Sequence, residues 1–132
     1  MRARFKTLFT RMRDPDPVKA DAAFDAVLFE REGALPDLIE CLEEADDGAL
    51  RFLCVQLLGF TGAAGAISPL LGALDDPDAT VRAEACRSLE DLRAREAVGA
   101  LRTRLDDVNE EVRLAAAEAI LSIEGGRGDD ED

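Results

Sequence analysis

The chain has 132 residues, a length that fits one domain, and 29 acidic against 16 basic residues give it a net charge of −13. It contains no His, Trp or Tyr. The lack of His excludes Ser-His-Asp and Cys-His catalytic pairs and His-ligated metals. The negative charge disfavours nucleic acids and anionic membranes as partners. We therefore expect a non-enzymatic interaction domain, without metal or cofactor, whose partner is another protein.

A sequence motif recurs along the chain at intervals of about 31 residues. Leu74-Asp75-Asp76 precedes Val81-Arg82, and Leu105-Asp106-Asp107 precedes Val112-Arg113. Two related copies lie earlier, with Met12-Arg13-Asp14 before Val18-Lys19 and Leu42-Glu43-Glu44 before Leu50-Arg51. The motif predicts four units, at about 1–31, 32–63, 64–94 and 95–124.

Each unit carries two helical patterns. The first helix has apolar residues at i, i+3, i+4 and i+7, which share one helical face: Phe5, Leu8, Phe9 and Met12; Leu35, Leu38, Ile39 and Leu42; Ile67, Leu70, Leu71 and Leu74; and Val98, Leu101 and Leu105. The second helix keeps apolar or small residues at i, i+4, i+8 and i+11: Val18, Ala22, Ala26 and Phe29; Leu50, Cys54, Leu58 and Thr61; Val81, Ala85, Leu89 and Leu92; and Val112, Ala116, Ile120 and Ile123.

The turns within the units carry residues that start helices. Asp16-Pro17 and Asp76-Pro77 place a capping carboxylate before a proline at a first helical position, and Asn109 precedes two glutamates. Glycines separate the units, and no segment shows the alternation of a strand. The pattern predicts an all-α fold, an α-α superhelix (solenoid) of four helical hairpins spanning residues 1–125, followed by a disordered acidic tail at 126–132.

A basic residue recurs near the start of each second helix. These residues are Lys19, Arg51, Arg82 and Arg113, and acidic residues lie in each preceding turn. We expect a structural ladder in which each cation pairs with carboxylates of its own or the next turn. A ligand-binding row of arginines is the alternative, and the surplus of nearby Asp argues against it.

The segment from Leu74 to Ala85, LDDPDATVRAEA, resembles a HEAT repeat, most closely the short HEAT-like type named after phycobilisome lyases. Val112-Arg113-Leu114-Ala115-Ala116-Ala117 fits the same pattern, and the resemblance covers about residues 1–125. It implies a binding scaffold that uses the concave surface lined by the second helices. Deoxyhypusine hydroxylases of this type hold iron with His-Glu motifs, which a chain without His cannot provide. HEAT-like DNA glycosylases use basic grooves with aromatic side chains, which this composition disfavours.

The sequence also points to one candidate partner-binding site. The first two units place Phe24, Leu28, Leu53, Leu57 and Phe60 at second-helix positions where the later units are polar or small. The functional hypothesis is an exposed apolar patch on the concave face that binds a partner. The structural alternative is that the helices rotate slightly and these residues enlarge the core.

Two further functions remain open beside the scaffold. One is an accessory subunit of a tetrapyrrole (bilin) lyase or another modifying enzyme, and the other is a structural capping subunit of a larger assembly. The first helix, with its apolar face and five cations, has a second interpretation as a helix for a membrane surface or an acidic partner. We favour packing of that face against the second helix.

The remaining features concern the environment of the protein. Cys41, Cys54 and Cys86 each lie in an apolar run without a CxxC spacing, so we expect reduced, buried packing residues. Neither a signal peptide nor a membrane-spanning run is apparent, which favours a cytoplasmic location. The acidic surface with 16 Lys and Arg, nearly all Arg, resembles halophilic proteins. We expect molar salt to stabilise it by screening self-repulsion.

Overall fold

The structure is a computed structural model that describes residues 1–130, with side chains described as far as residue 125. This part of the chain contains no strand. Its eight α-helices are α1 (Ala3–Arg11), α2 (Pro17–Glu30), α3 (Leu35–Glu44), α4 (Gly48–Phe60), α5 (Ile67–Ala73), α6 (Ala79–Asp91), α7 (Val98–Thr103) and α8 (Glu110–Asp130). The predicted all-α superhelix of four hairpins is confirmed. The predicted tail at 126–132 falls where side chains are not described, and residues 131–132 lie outside the described residues.

Consecutive helices pair into hairpins, and the hairpins stack through their second helices. Helix α1 packs on α2, α3 on α4, α5 on α6, and α7 on α8. The stack continues from α4 to α6 and from α6 to α8 through extensive contacts, whereas α2 touches α4 much less. Short 3₁₀ turns lead into the later first helices at Arg31–Ala34, Ala64–Ala66 and Arg95–Ala97, and a further one lies at Arg104–Asp106.

The second helices begin at a strict interval of 31 residues. The side chains of Asp16, Asp47, Asp78 and Asn109 each accept a hydrogen bond from a backbone N–H of the first turn, at 2.7–3.2 Å. Each oxygen thereby satisfies one of the N–H groups that have no partner within the helix. Asp78 is the cap of α6, so the predicted cap at Asp76-Pro77 is wrong by two residues.

Counting from these caps assigns every second-helix residue to a face. The seventh and eleventh positions are buried in all four hairpins: Ala23, Cys54, Ala85 and Ala116, and Val27, Leu58, Leu89 and Ile120. The predicted row of α2 is therefore displaced by one residue. Val18 is 74% exposed and Phe29 is 85% exposed, because the caps put α2 in a register one residue away from the apolar pattern.

After the second helices, residues with positive φ recur at the same 31-residue interval. Arg31, Gly62 and Arg93 follow α2, α4 and α6, and all three have positive φ, at 49°, 71° and 53°. The positive φ at these residues directs the chain from the helix toward the next hairpin. Glycine adopts a positive φ without steric cost, so among these three residues only Gly62 is typical of the position.

The first helix is part of the core. Phe5, Phe9 and Met12 are buried, so this apolar face packs inside the protein as favoured. Its cations meet carboxylates of the next helices: the Met1 amino group lies 2.6 Å from Glu40 Oε2, and Arg2 Nη2 lies 2.8 Å from Asp37 Oδ2. Among the described residues, none of the helices has the length and apolar character required to span a membrane.

Helices α4 and α6 approach each other closely at Gly59. Ser88 Oγ donates a hydrogen bond to the carbonyl oxygen of Val55 at 3.0 Å, which joins the two helices in the core. A Cβ at Gly59 would lie 2.6 Å from Ser88 Oγ and 2.9 Å from Ser88 Cα. The absence of a side chain at Gly59 is therefore a condition of this stacking distance.

Replacement of Gly59 by Ala should destabilise the protein, because the new methyl group collides with the backbone as well as the side chain of Ser88. Overpacking of this kind costs about 1–3 kcal/mol, and urea unfolding measures it. Gly72→Ala is the matched control, since nothing lies within 4 Å of its Cβ position and alanine favours helix. Equal stability of the two variants would contradict the close approach.

Candidate functional site

Two arginines of the predicted ladder join neighbouring hairpins. Arg51 Nε and Nη2 donate to Asp76 Oδ2 and Oδ1 at 2.8 and 3.1 Å. Arg82 Nε and Nη2 donate to Asp107 Oδ2 and Oδ1, both at 3.0 Å. Each is a bidentate, charge-assisted pair between one second helix and the turn of the next hairpin. We call each such pair a rung.

The same arginines also hold their own turns. Nη1 of Arg51, Arg82 and Arg113 donates to the carbonyl oxygen six residues earlier, at 3.3, 2.8 and 2.8 Å. The paired carboxylates are fixed in turn, because Asp76 Oδ1 and Asp107 Oδ1 accept the backbone N–H of Asp78 and Asn109 at 2.9 Å. Every rung therefore connects two turns and one helix start.

The first junction lacks a rung. Counted from the caps, Ala20 occupies the arginine position of α2 and Ala45 occupies the aspartate position of the second turn. Lys19 lies one residue earlier than the rung position and is exposed. A different ion pair spans this junction, between Arg13 Nη2 and Asp47 Oδ2 at 2.5 Å.

The rungs are largely shielded from water. The side chains of Asp76 and Asp107 are 8% and 3% exposed, and those of Arg51 and Arg82 are 17% and 12% exposed. The hydrogen bond from Arg82 is the main cause that holds the pKa of Asp107 below its ordinary value, against the opposing effect of burial. This geometry makes the arginines structural groups, with their hydrogen-bonding edges already occupied by Asp76 and Asp107.

The five residues of the predicted patch lie mainly between the first two hairpins. Phe24 and Leu28 occupy positions of α2 that turn toward α4, and both are partly buried. Leu53 of α4 is partly buried as well, and Leu57 is only 2% exposed. Phe60 is 39% exposed and stands on the open face of the second helices.

One exposed aromatic residue was missed by the apolar pattern. Phe29 occupies the thirteenth position after its cap, as Phe60 does in the next hairpin, while the third and fourth hairpins have Asp91 and Ser122 there. The regular spacing of the N-caps could have revealed this equivalence. Phe29 and Phe60 therefore form an aromatic pair in register on neighbouring helices, and we call them the phenylalanine pair.

A cleft opens between α2 and α4, the two helices that carry the phenylalanine pair. It has a volume of about 210 Å³ and is lined by Met12, Ala20, Asp21, Phe24, Leu53 and Gln56. The cleft coincides with the junction that has no rung and the slightest helix contact. Three of its lining side chains are large and apolar, and Asp21 gives it a negative edge.

The open face of the second helices is acidic. Asp25, Asp91 and Glu118 are exposed there, and Arg87 pairs with Glu84 and Glu111 at 3.5 and 3.3 Å. Burial raises the pKa of Asp91. Burial also raises the pKa of Glu84, and this effect exceeds the lowering by Arg87. The carboxylates outnumber Arg87 on this face, so its electrostatic potential would favour a basic group.

The cysteines are buried packing residues. All three are free within the described residues, and Cys54 Sγ lies 3.0 Å from Cys41 Sγ. Burial raises the pKa of the Cys86 thiol to about 12, which leaves it protonated at neutral pH. In the part of the chain that the structure describes, no group of three or more Cys, Asp or Glu is arranged to hold a metal ion.

The comparisons with known proteins identify the repeat. Residues 67–131 match the family model described as HEAT repeats, so this segment carries HEAT repeats, and the predicted resemblance is confirmed. None of the curated proteins matches the sequence significantly.

Two solved structures share the fold. Human deoxyhypusine hydroxylase in complex with glycerol superposes with a TM-score of 0.70 at 24% identity, over 92% of this chain and 43% of that one. The complex of CpcE and CpcF of phycocyanin lyase from Nostoc sp. PCC7120 gives a TM-score of 0.51 at 19% identity, over 90% of this chain and 64% of that one. The chain thus spans less than two thirds of either protein, and the likeness concerns the fold alone.

The rung at Asp107 should make stability depend on pH. A carboxylate whose pKa is lower in the folded state stabilises above its unfolded pKa of about 3.9, and the effect disappears as pH falls through the folded pKa. The wild type should therefore lose more stability between pH 5 and pH 2 than Asp107→Asn, measured by urea unfolding. The control is Asp106→Asn, at an exposed neighbour; if both variants follow the wild-type profile, Asp107 is not held by Arg82.

Proposed function

We propose that this HEAT-repeat chain is a protein-binding scaffold whose partner docks on the open face of α2 and α4. The observation that carries the proposal is the phenylalanine pair, Phe29 and Phe60, exposed to 85% and 39% on the two helices between which an apolar cleft opens. Large aromatic side chains in register on a solvent-exposed face are typical of anchors for another protein.

The chemistry of the face defines the partner segment. Apolar side chains would contact the phenylalanine pair and enter the cleft, which has room for one large side chain. Basic residues beside them would meet Asp21, Asp25 and Asp91, which are exposed around the same positions. The expected partner segment is therefore amphipathic and basic, and opposite charges would accelerate its association.

A second candidate is an accessory subunit of a tetrapyrrole lyase or another modifying enzyme. The fold shared with the complex of CpcE and CpcF favours this candidate. A tetrapyrrole that co-purifies with the native protein and absorbs visible light would support it over the simple scaffold. In this role, too, the open face would contact the other subunit.

The test of the scaffold compares two variants in affinity capture from native lysate, followed by titration of the purified partner. Phe29→Ser with Phe60→Ser should weaken binding at least tenfold, because both anchors are lost, while circular dichroism shows an unchanged fold. Val108→Ser is the matched control, since it removes a side chain that is 93% exposed in a turn away from this face.

The outcomes are distinct. A partner lost by the double variant and retained by Val108→Ser supports docking on the phenylalanine pair. Equal binding by all three proteins would overturn the location of the site, and loss in both variants would indicate unspecific apolar adsorption. Binding that weakens as KCl rises would support the basic character of the partner.

A further inference from the structure

The last second helix, α8, exposes the face on which another hairpin would stack. Its Leu114 and Leu121 are 56% and 72% exposed, and Ala117 lies between them. The equivalent residues of α6, 31 positions earlier, are Ala83, Cys86 and Glu90, of which the first two are fully buried. In α6 these positions turn toward the next second helix, α8. The corresponding residues of α8, Leu114, Ala117 and Leu121, form a surface that we call the tail face.

The tail face also carries half of a rung. Arg113 Nη1 donates to the Asp107 carbonyl oxygen at 2.8 Å, which is the same contact that orients Arg82 on the Asp76 carbonyl oxygen at 2.8 Å. The Nε and Nη2 atoms of Arg82 then bind Asp107 of the next hairpin. Among residues 1–125, Arg113 has no counterpart of the two aligned carboxylate oxygens that Arg82 binds.

The other end of the stack provides the matching half. Asp14 Oδ1 accepts the backbone N–H of Asp16 at 2.8 Å, as Asp76 and Asp107 accept the N–H two residues later at 2.9 Å. Asp14 thus has the turn geometry of a rung carboxylate. It forms no ion pair within the described residues.

Helix α2 likewise exposes the face that stacks on a preceding helix. In α6 that face contains Ser88, which contacts Val55 and Gly59 of α4, and its equivalent Ala119 in α8 is fully buried. Ala26 of α2 occupies this same position, Ala22 occupies the position of the buried Glu84 and Ala115, and both alanines are exposed. We call Asp14, Ala22 and Ala26 the head face; its small residues suit close approach of the larger leucines of the tail face.

We propose that the chain associates head to tail with a second copy of itself, with Arg113 pairing with Asp14 of that copy. The contact would continue the 31-residue stack from one molecule into the next. Because its two surfaces differ, the interface is heterologous, and repetition gives a ring or an open filament. The proposal goes beyond the scaffold function and uses neither Phe60 nor the cleft.

The ionic strength should control this association. Each copy carries a net charge of −13, and this repulsion opposes contact in dilute buffer. Molar salt shortens the screening length to about 3 Å, which removes the long-range repulsion while the apolar contact persists. Assembly should therefore strengthen as KCl is raised, in contrast to binding of a basic partner.

The experiment mixes two variants of the 132-residue chain, each altered at one face. Leu121→Glu damages only the tail face and Ala26→Glu only the head face, and both residues are exposed, so both variants should fold. Sedimentation velocity in molar KCl measures the assembly of each variant alone and of their equimolar mixture. Ser68→Glu, at an exposed position on a first helix, is the matched control.

We expect oligomers larger than a dimer for the wild type and for the control, monomers for each altered variant alone, and a dimer for their mixture. The mixture is decisive, because one intact head and one intact tail remain. A wild type that stays monomeric at every salt and protein concentration would overturn the proposal. Self-association that survives in either altered variant, or a mixture that stays monomeric, would overturn it as well.

Discussion

The structure depends on the registration of one hairpin against the next, and the rung is the interaction that sets it. A single arginine binds the carbonyl of its own turn and the aspartate of the following turn, and that aspartate holds the start of the following helix. The geometry repeats because the caps lie 31 residues apart. Bidentate pairing of shielded groups has strict angular requirements, so it fixes orientation as well as distance.

The surfaces for which we propose functions occur where this arrangement is interrupted. Between the first two hairpins, alanine replaces both members of the rung, α2 and α4 touch less, and an apolar cleft remains between them. At the two ends, Arg113 and Asp14 each keep half of a rung geometry. A repeat protein thus gains distinct sites through departures from its own pattern, because each unit contacts only its neighbours.

The fold could be predicted from the sequence because helical periodicity and a repeated motif agree over most of the chain. The candidate site could not be predicted fully, because apolar spacing alone placed Val18 and Phe29 in the core row of α2. The caps shift α2 by one residue, so Ala23 and Val27 are buried and Phe29 is exposed. The positive φ of Arg31 and Arg93 could not be predicted from the sequence either, because glycine, the residue typical of positive φ, occurs only at the equivalent position 62.

The measurement that tests the central claim most directly is a double-mutant cycle on Arg82 and Asp107, read from urea unfolding. Arg82→Met keeps the aliphatic stem, and Asp107→Asn keeps the acceptor oxygen for the Asn109 N–H. If the rung sets the register, the two losses are not additive, and the coupling free energy is at least ~1 kcal/mol. Additive losses, with a coupling below about 0.3 kcal/mol, would contradict the account, because the hairpins would then be held in register by apolar packing alone.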